Sequence, residues 1–160
     1  MARSIFASFQ YEDSHRVQQV LQMGAIESDS LVVAQEWESV QRQSKPAIER
    51  WIHEQMLRKS AVVAFVGSQT ASSSWVDYEI RKAWDDKRPL VGIRIHALQD
   101  LDQRTSNPGP NPFANIELES GGGNLASYVS LYDPPGYDSK AVYHSIATNL
   151  DTWIASAVTR

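Results

Sequence analysis

Apolar residues follow two different spacings along this chain, and the alternation of the two predicts an α/β fold. The run 61–66 (AVVAFV) is continuously apolar and is bounded by Gly67 and Ser68. A run of this kind is typical of a strand buried on both faces of a parallel sheet, so we place it at the centre of the sheet. With weaker runs included, the pattern predicts five strands, at residues 4–9, 30–34, 61–66, 89–95 and 128–132.

Helical spacing of apolar residues separates these predicted strands. The pattern is strongest from residue 45 to 59, where Pro46 suits the first turn of a helix. Gly24 is suited to end the first helix. The four helices predicted in this way span residues 15–23, 45–59, 75–86 and 139–157.

Strands alternating with helices predict one flavodoxin-like domain, in which helices cover both faces of a five-stranded parallel sheet in three layers. Residues 96–126 break the alternation, because they hold three prolines and the glycine triplet 121–123 and have little periodicity. We expect them to form a long irregular surface insertion within a single domain spanning residues 1–160. Ligands of such sheets bind beyond the carboxyl ends of the strands.

Composition narrows the function further. The 160 residues include no cysteine, which excludes disulfides and thiolate metal sites, and a metal is not expected. The net charge of −4, without a long basic run, argues against nucleic acid as the main partner. No window approaches the roughly 18 apolar residues that a membrane span needs, so we expect a cytoplasmic protein without a membrane partner.

Several site types that use the carboxyl ends of strands are disfavoured by the loops found there. The first loop, residues 9–14, contains no glycine, which argues against a P-loop, a dinucleotide fingerprint and a flavin or nucleotide cradle. A phosphorelay receiver needs an aspartate after the third strand, where this chain has Gly67 and Ser68. The serines at 72–74 lack a nucleophile elbow.

The remaining feature is the helix that opens after the central strand. Its apolar stripe includes Val76 and Ile80, and Trp75 and Glu79 lie four residues apart on the shoulder of that stripe. This placement predicts a half-buried carboxylate beside an indole. Spacing alone favours a simpler interpretation, in which Glu79 is exposed and pairs with Lys82 while Trp75 anchors the helix.

Beyond this pattern, the sequence resembles TIR domains, and in particular the TIR-like proteins of bacterial Thoeris anti-phage systems. The resemblance covers nearly the whole chain. TIR enzymes that consume NAD carry a Trp four residues before their catalytic Glu, in the helix after the third strand, and Trp75 and Glu79 match that pattern. The segments that carry the resemblance are 5–11 (IFASFQY), 47–55 (AIERWIHEQ), 73–80 (SSWVDYEI), 92–96 (GIRIH) and 111–113 (NPF).

The resemblance implies roles for particular residues. It makes Glu79 the catalytic carboxylate and Trp75 its packing neighbour. It places the loop from Ser8 to Tyr11 in the NAD pocket, which includes Phe9, and it suggests Tyr11 and Trp37 as aromatic walls. Many animal TIR domains have basic residues where this chain has Gln10 and Glu12, so the phosphate contacts are expected to differ.

The implied activity is cleavage of NAD, which is the substrate, and no cofactor is expected. Nicotinamide leaves as a neutral molecule, so a single carboxylate suffices. The resemblance favours a cyclic ADP-ribose isomer as the product, which acts as a diffusible second messenger for a separate effector protein. It also suggests a homo-oligomer of the chain. The alternative is a non-catalytic TIR-like module for protein–protein interaction.

Overall fold

The sheet is parallel throughout in a computed structural model that describes residues 3–27 and 40–160. Four strands lie side by side in chain order, which confirms the predicted α/β fold with a parallel sheet. The predicted strand at 30–34 lies outside the described residues, so the described sheet has four strands rather than five. The strands are β1 (Ile5–Ser8), β2 (Ala61–Val66), β3 (Leu90–Arg94) and β4 (Leu131–Tyr132).

On the side of β1 opposite to β2, the chain that leaves the first helix begins to pair with the sheet. The Arg3 amide donates to the Ala25 carbonyl at 2.8 Å, and the Glu27 amide donates to the Arg3 carbonyl at 2.9 Å. The Ser60 amide, from the side of β2, instead donates to the neighbouring Ser4 carbonyl at 2.8 Å. Successive peptides of a strand point to opposite sides, so β1 lies inside the sheet at this level.

Helices cover both faces of the sheet, as predicted. The apolar residues of β2 alternate between the two faces: Val63 packs with the first and last helices, and Val62 packs with the two middle ones. This arrangement gives three layers with β2 buried on both faces. The helices are α1 (Ser14–Leu21), α2 (Lys45–Leu57), α3 (Ser74–Asp85) and α4 (Ser139–Ala155), and none in the described ranges has the length and apolarity to cross a membrane.

The last strand is shorter than its sequence pattern predicts. Residues 128–132 were expected to be extended, but only Leu131 and Tyr132 pair with β3. A short 3-10 helix, Leu125–Ser127, ends just before this segment, and the Val129 amide still donates to the Leu125 carbonyl at 3.0 Å. The apolar side chains of Leu125 and Val129 are buried by this turn, so their apolar character reflects core packing rather than a strand.

The irregular segment 96–126 is more deeply packed than a surface insertion would be. Phe113 is fully buried against the same core cluster as α2 and α3. Gly92 of β3 makes room for it, since a side-chain Cβ at position 92 would lie 2.7 Å from Phe113 Cε2. The expectation of a surface loop is therefore wrong for its anchoring residues, which are Leu98, Phe113, Ile116 and Leu125.

We predict that Phe113→Ala lowers the free energy of unfolding by about 3–5 kcal/mol, because it leaves a cavity over β3. Leu101→Ala is the matched control, since Leu101 lies in the same segment but is 79% exposed. Its effect is expected to stay within about 0.5 kcal/mol. Urea denaturation measures both. Equal effects of the two substitutions would show that the segment is not anchored through Phe113.

Candidate active site

A cleft opens at the carboxyl end of β1, on the face of the sheet covered by α2 and α3. Its volume is about 590 Å³ when the open space at its mouth is included. Five of its ten lining side chains are aromatic, and Glu79 is the charged one among them. The lining residues are Phe6, Ala7, Phe9, Gln10, Tyr11, Gln41, Trp51, Ser73, Trp75 and Glu79.

The position of Glu79 follows from how α3 begins. The Gly67 amide donates to Thr70 Oγ1 at 2.7 Å, which tightens the loop after β2. Ser73 then caps the helix, since its hydroxyl oxygen accepts from the Val76 amide at 3.3 Å. The helix places Val76, Glu79 and Ile80 on the face that packs on the sheet, and Glu79 is 6% exposed. The carboxyl group is thus buried more completely than the sequence pattern predicts.

Burial sets the proton affinity of this carboxyl group. Loss of solvent raises the pKa of Glu79 to about 8, and the hydrogen bond from Ser8 acts in the opposite direction. Ser8 Oγ donates that bond to Glu79 Oε1 at 2.9 Å. The empty cleft therefore holds Glu79 mainly in its protonated form at neutral pH.

The simpler interpretation of Glu79 as an exposed partner of Lys82 is wrong. Lys82 Nζ donates to Asp86 Oδ2 at 2.9 Å, one helical turn further along α3. Asp77 pairs with Arg81 at 2.6 Å in the same way. These ion pairs lie on the solvated side of the helix. Glu79 takes no part in them and lines the cleft.

Trp75 forms a fixed wall of the cleft. Its indole meets the ring of Tyr78 edge to face, with centroids 5.5 Å apart and planes at 85°. Tyr78 is held in turn near α2, where burial and the carboxylate of Glu49 raise the pKa of its phenol. The contact orders the indole of Trp75, which lines the same cleft as Glu79.

The structure brings most of the predicted site residues together. Phe9, Tyr11, Trp75 and Glu79 line the same cleft. Ser8 contacts Glu79, is fully buried, and is not among the residues that line the cleft. Trp37 lies outside the described residues.

Sequence reasoning missed several lining residues, of which Trp51 is the largest. It is one of the apolar residues at helical spacing in the predicted helix 45–59, and the structure packs it partly against the core and partly along the cleft. The signal that could have identified it was the position of a tryptophan at the edge of the apolar stripe of this helix. Gln41 and Ser73 gave no signal of this kind, whereas Gln10 lies in the loop from Ser8 to Tyr11 that the resemblance places in the pocket. Within the described ranges, no group of three or more His, Asp or Glu side chains could hold a metal ion.

Fold and cleft together define a class, the TIR-like α/β domains with a flavodoxin-like parallel sheet. Residues 6–100 match the family model described as "Thoeris protein ThsB, TIR-like domain". The chain is also 32% identical, over 123 residues, to a protein of Bacillus cereus (strain MSX-D12) whose name marks it as a proposed cyclic ADP-D-ribose synthase, ThsB1. That similarity covers 71% of this chain and 62% of the relative, so the chain spans less than two thirds of the relative's length.

This chain therefore belongs to the Thoeris ThsB family of TIR-like domains. The matched region includes all the described residues that line the cleft, from Phe6 to Glu79.

We predict that Glu79→Gln stabilises the fold at high pH. Between about pH 4.5 and 8 the folded protein holds a proton that the unfolded chain releases, so the stability of the wild type falls as pH rises through this window. Glutamine keeps the shape without ionising. Its advantage should be negligible near pH 4.5, should grow as pH rises to 8, and should level off above pH 8 at a few kcal/mol, at most about 5 kcal/mol.

Urea denaturation at a series of pH values measures this difference. Glu54→Gln is the control, because Glu54 is an exposed glutamate of α2 and its replacement should leave the pH dependence unchanged. A constant difference between Glu79→Gln and the wild type from pH 4.5 to 9 would contradict the raised pKa of Glu79.

Proposed function

We propose that this protein cleaves the bond between nicotinamide and ribose in NAD, with Glu79 as its catalytic carboxylate. The observation that carries the proposal is a single buried carboxyl group facing an aromatic cleft at the carboxyl end of the sheet. The family, and the name of the Bacillus cereus relative as a synthase of cyclic ADP-ribose, support NAD as the substrate.

The cleft suits the nicotinamide end of NAD. The ring of this group is a cationic pyridinium, and the faces of aromatic side chains such as Trp75 and Trp51 attract cations. The carboxyl group of Glu79 supplies a negative charge when it ionises. No basic side chain is found among the described residues that line the cleft. We therefore expect the negatively charged diphosphate of bound NAD to project out of the cleft, through its mouth, into solvent.

Substrate binding changes the protonation of Glu79. A nearby cation favours the ionised form of a carboxyl group, so the pyridinium lowers the pKa of Glu79 from its value of about 8 in the empty cleft. At neutral pH, binding thus releases a proton. The resulting carboxylate accepts hydrogen bonds from the ribose hydroxyls of the nicotinamide nucleoside and stabilises the positive charge that develops on the ribose.

The bond that breaks joins ribose C1′ to the pyridinium nitrogen, which keeps the electron pair and leaves as neutral nicotinamide. Because the leaving group needs no proton, a general acid is unnecessary, unlike in ordinary glycosidases that use two carboxylates. The ADP-ribosyl cation is then captured by water, which gives ADP-ribose and a proton, or by a nucleophilic atom of the same molecule, which gives a cyclic isomer and a proton.

We favour the cyclic product, because the Bacillus cereus relative is named for its synthesis. In this proposal the product is a diffusible signal in anti-phage defence, and a separate effector protein receives it. The chain itself is then the producer of the signal.

We predict that Glu79→Gln reduces nicotinamide release from NAD on the order of 10²–10³-fold, because the amide cannot supply the negative charge. Chromatography with mass detection at high protein concentration resolves nicotinamide, ADP-ribose and cyclic isomers. Glu54→Gln should retain wild-type turnover. Equal turnover by Glu79→Gln and the wild type would remove Glu79 from the reaction. Intact NAD with every variant, including during co-expression under phage challenge, would favour the non-catalytic interaction module.

The pH dependence of turnover is a separate prediction. Since the deprotonated carboxyl group is the active form, kcat/KM should rise with pH and level off above the pKa of about 8 of the free enzyme. The rising part of the pH profile of kcat should lie at lower pH than that of kcat/KM, because the bound pyridinium favours ionisation of Glu79. Steady-state kinetics from pH 5.5 to 9.5 provides the measurement. Activity that declines as pH rises from 6 to 8 would show that the protonated form is the active one.

A further inference from the structure

Ser8, the last residue of β1, makes the hydrogen bond that holds the carboxyl group of Glu79. Its Oγ lies 2.9 Å from Glu79 Oε1, between two elements 71 residues apart in the chain. We infer that Ser8 is a positioning residue, which orients the Glu79 carboxyl group toward the cleft and does not itself contact the substrate. This inference rests on the proposed function, because it assigns Ser8 a part in the reaction of Glu79.

The burial of Ser8 separates this role from substrate binding. The residue has no exposed surface and is not among the side chains that line the cleft. It pairs in register with Ala64 of β2, so its backbone is held inside the parallel sheet. A serine hydroxyl can donate one hydrogen bond, and Ser8 donates it to Glu79 Oε1. A substrate could reach this hydroxyl only by displacing Glu79.

The hydrogen bond matters more as Glu79 ionises. A bond from a hydroxyl to a carboxylate is stronger than a bond to a neutral carboxylic acid, so Ser8 favours the charged form. Burial favours the neutral form. Ser8 therefore partly offsets the cost of generating a carboxylate in the cleft, and it occupies Oε1. Ser8 does not bond the other carboxyl oxygen.

The charged side chains of α3 and α2 near the site pair with groups other than Glu79. On α3, Asp77 and Lys82 are paired with Arg81 and Asp86. On α2, the Glu49 carboxylate interacts with the phenol of Tyr78. β2 presents buried apolar residues on this face, namely Val62, Ala64 and Val66. Among the described side chains that line the cleft, Tyr11 is the titratable group besides Glu79.

The test compares kcat/KM across pH for three serine variants. Ser8→Ala removes the hydroxyl, and its rising limb should move to higher pH by about one unit, which lowers kcat/KM at pH 7 about tenfold. At the highest pH the loss should shrink. Ser8→Thr keeps a hydroxyl, so the rising part of its pH profile should lie at the same pH as that of the wild type. Ser4→Ala is the matched control just before the other end of β1, where the hydroxyl donates to the Arg58 carbonyl, and its limb should not move.

A purely structural role for Ser8 would lower activity equally at every pH without moving the limb, and that result would overturn the inference. So would an Ser8→Ala enzyme indistinguishable from the wild type. In both cases Glu79-dependent cleavage of NAD by the wild type would leave the proposed function intact.

A measurement that does not depend on turnover keeps the two proposals apart. The pH dependence of unfolding for Ser8→Ala, compared with Ser8→Ala/Glu79→Gln, reports the titration of Glu79 without Ser8. The wild type compared with Glu79→Gln reports it with Ser8. If Glu79 titrates at higher pH without Ser8, the inference about Ser8 is supported, even if no variant cleaves NAD. Absence of NAD cleavage would contradict only the proposed function. Coincident titrations would overturn the inference about Ser8.

Discussion

The burial of one carboxyl group is the constraint on which the rest of this site depends. Glu79 lies on the sheet-facing side of α3, where an apolar residue would stabilise the fold and an ionised carboxylate costs free energy. Ser8 offsets part of that cost through a single hydrogen bond. A fold that keeps such a group gives up stability at neutral and higher pH, and in the proposed function this loss accompanies the chemical role of the carboxyl group.

Ordinary packing and a helix cap hold the elements around Glu79 in place. β1 and β2 are buried on both faces, and the cap of α3 by Ser73 fixes where the helix begins. The cleft is then closed by aromatic side chains from three parts of the chain, including Trp51 of α2 and Trp75 of α3. Such walls present flat, weakly hydrated surfaces to a ligand. In the proposed function, these walls and the carboxyl group of Glu79 bind the planar, cationic pyridinium of NAD.

The sequence pattern predicted the interior of the fold better than its margins. The bounds of β2 agree with the apolar run at 61–66, because a strand buried on both faces leaves an uninterrupted signal. The pattern was wrong for residues 128–130 and for Phe113. In both places apolar side chains serve packing without regular structure, and local spacing cannot distinguish such residues from a strand or from a surface loop.

By itself the sequence determined the order of elements, the helix that carries Trp75 and Glu79, and the likeness to TIR domains, because periodicity and short motifs are local properties. The tertiary structure decided how deeply Glu79 is buried, that Ser8 contacts Glu79 rather than the cleft, and that Trp51 joins the cleft. A helical wheel gives the direction of a side chain. It cannot say which residue, dozens of positions away, packs against it, and that neighbour sets the proton affinity of a carboxyl group.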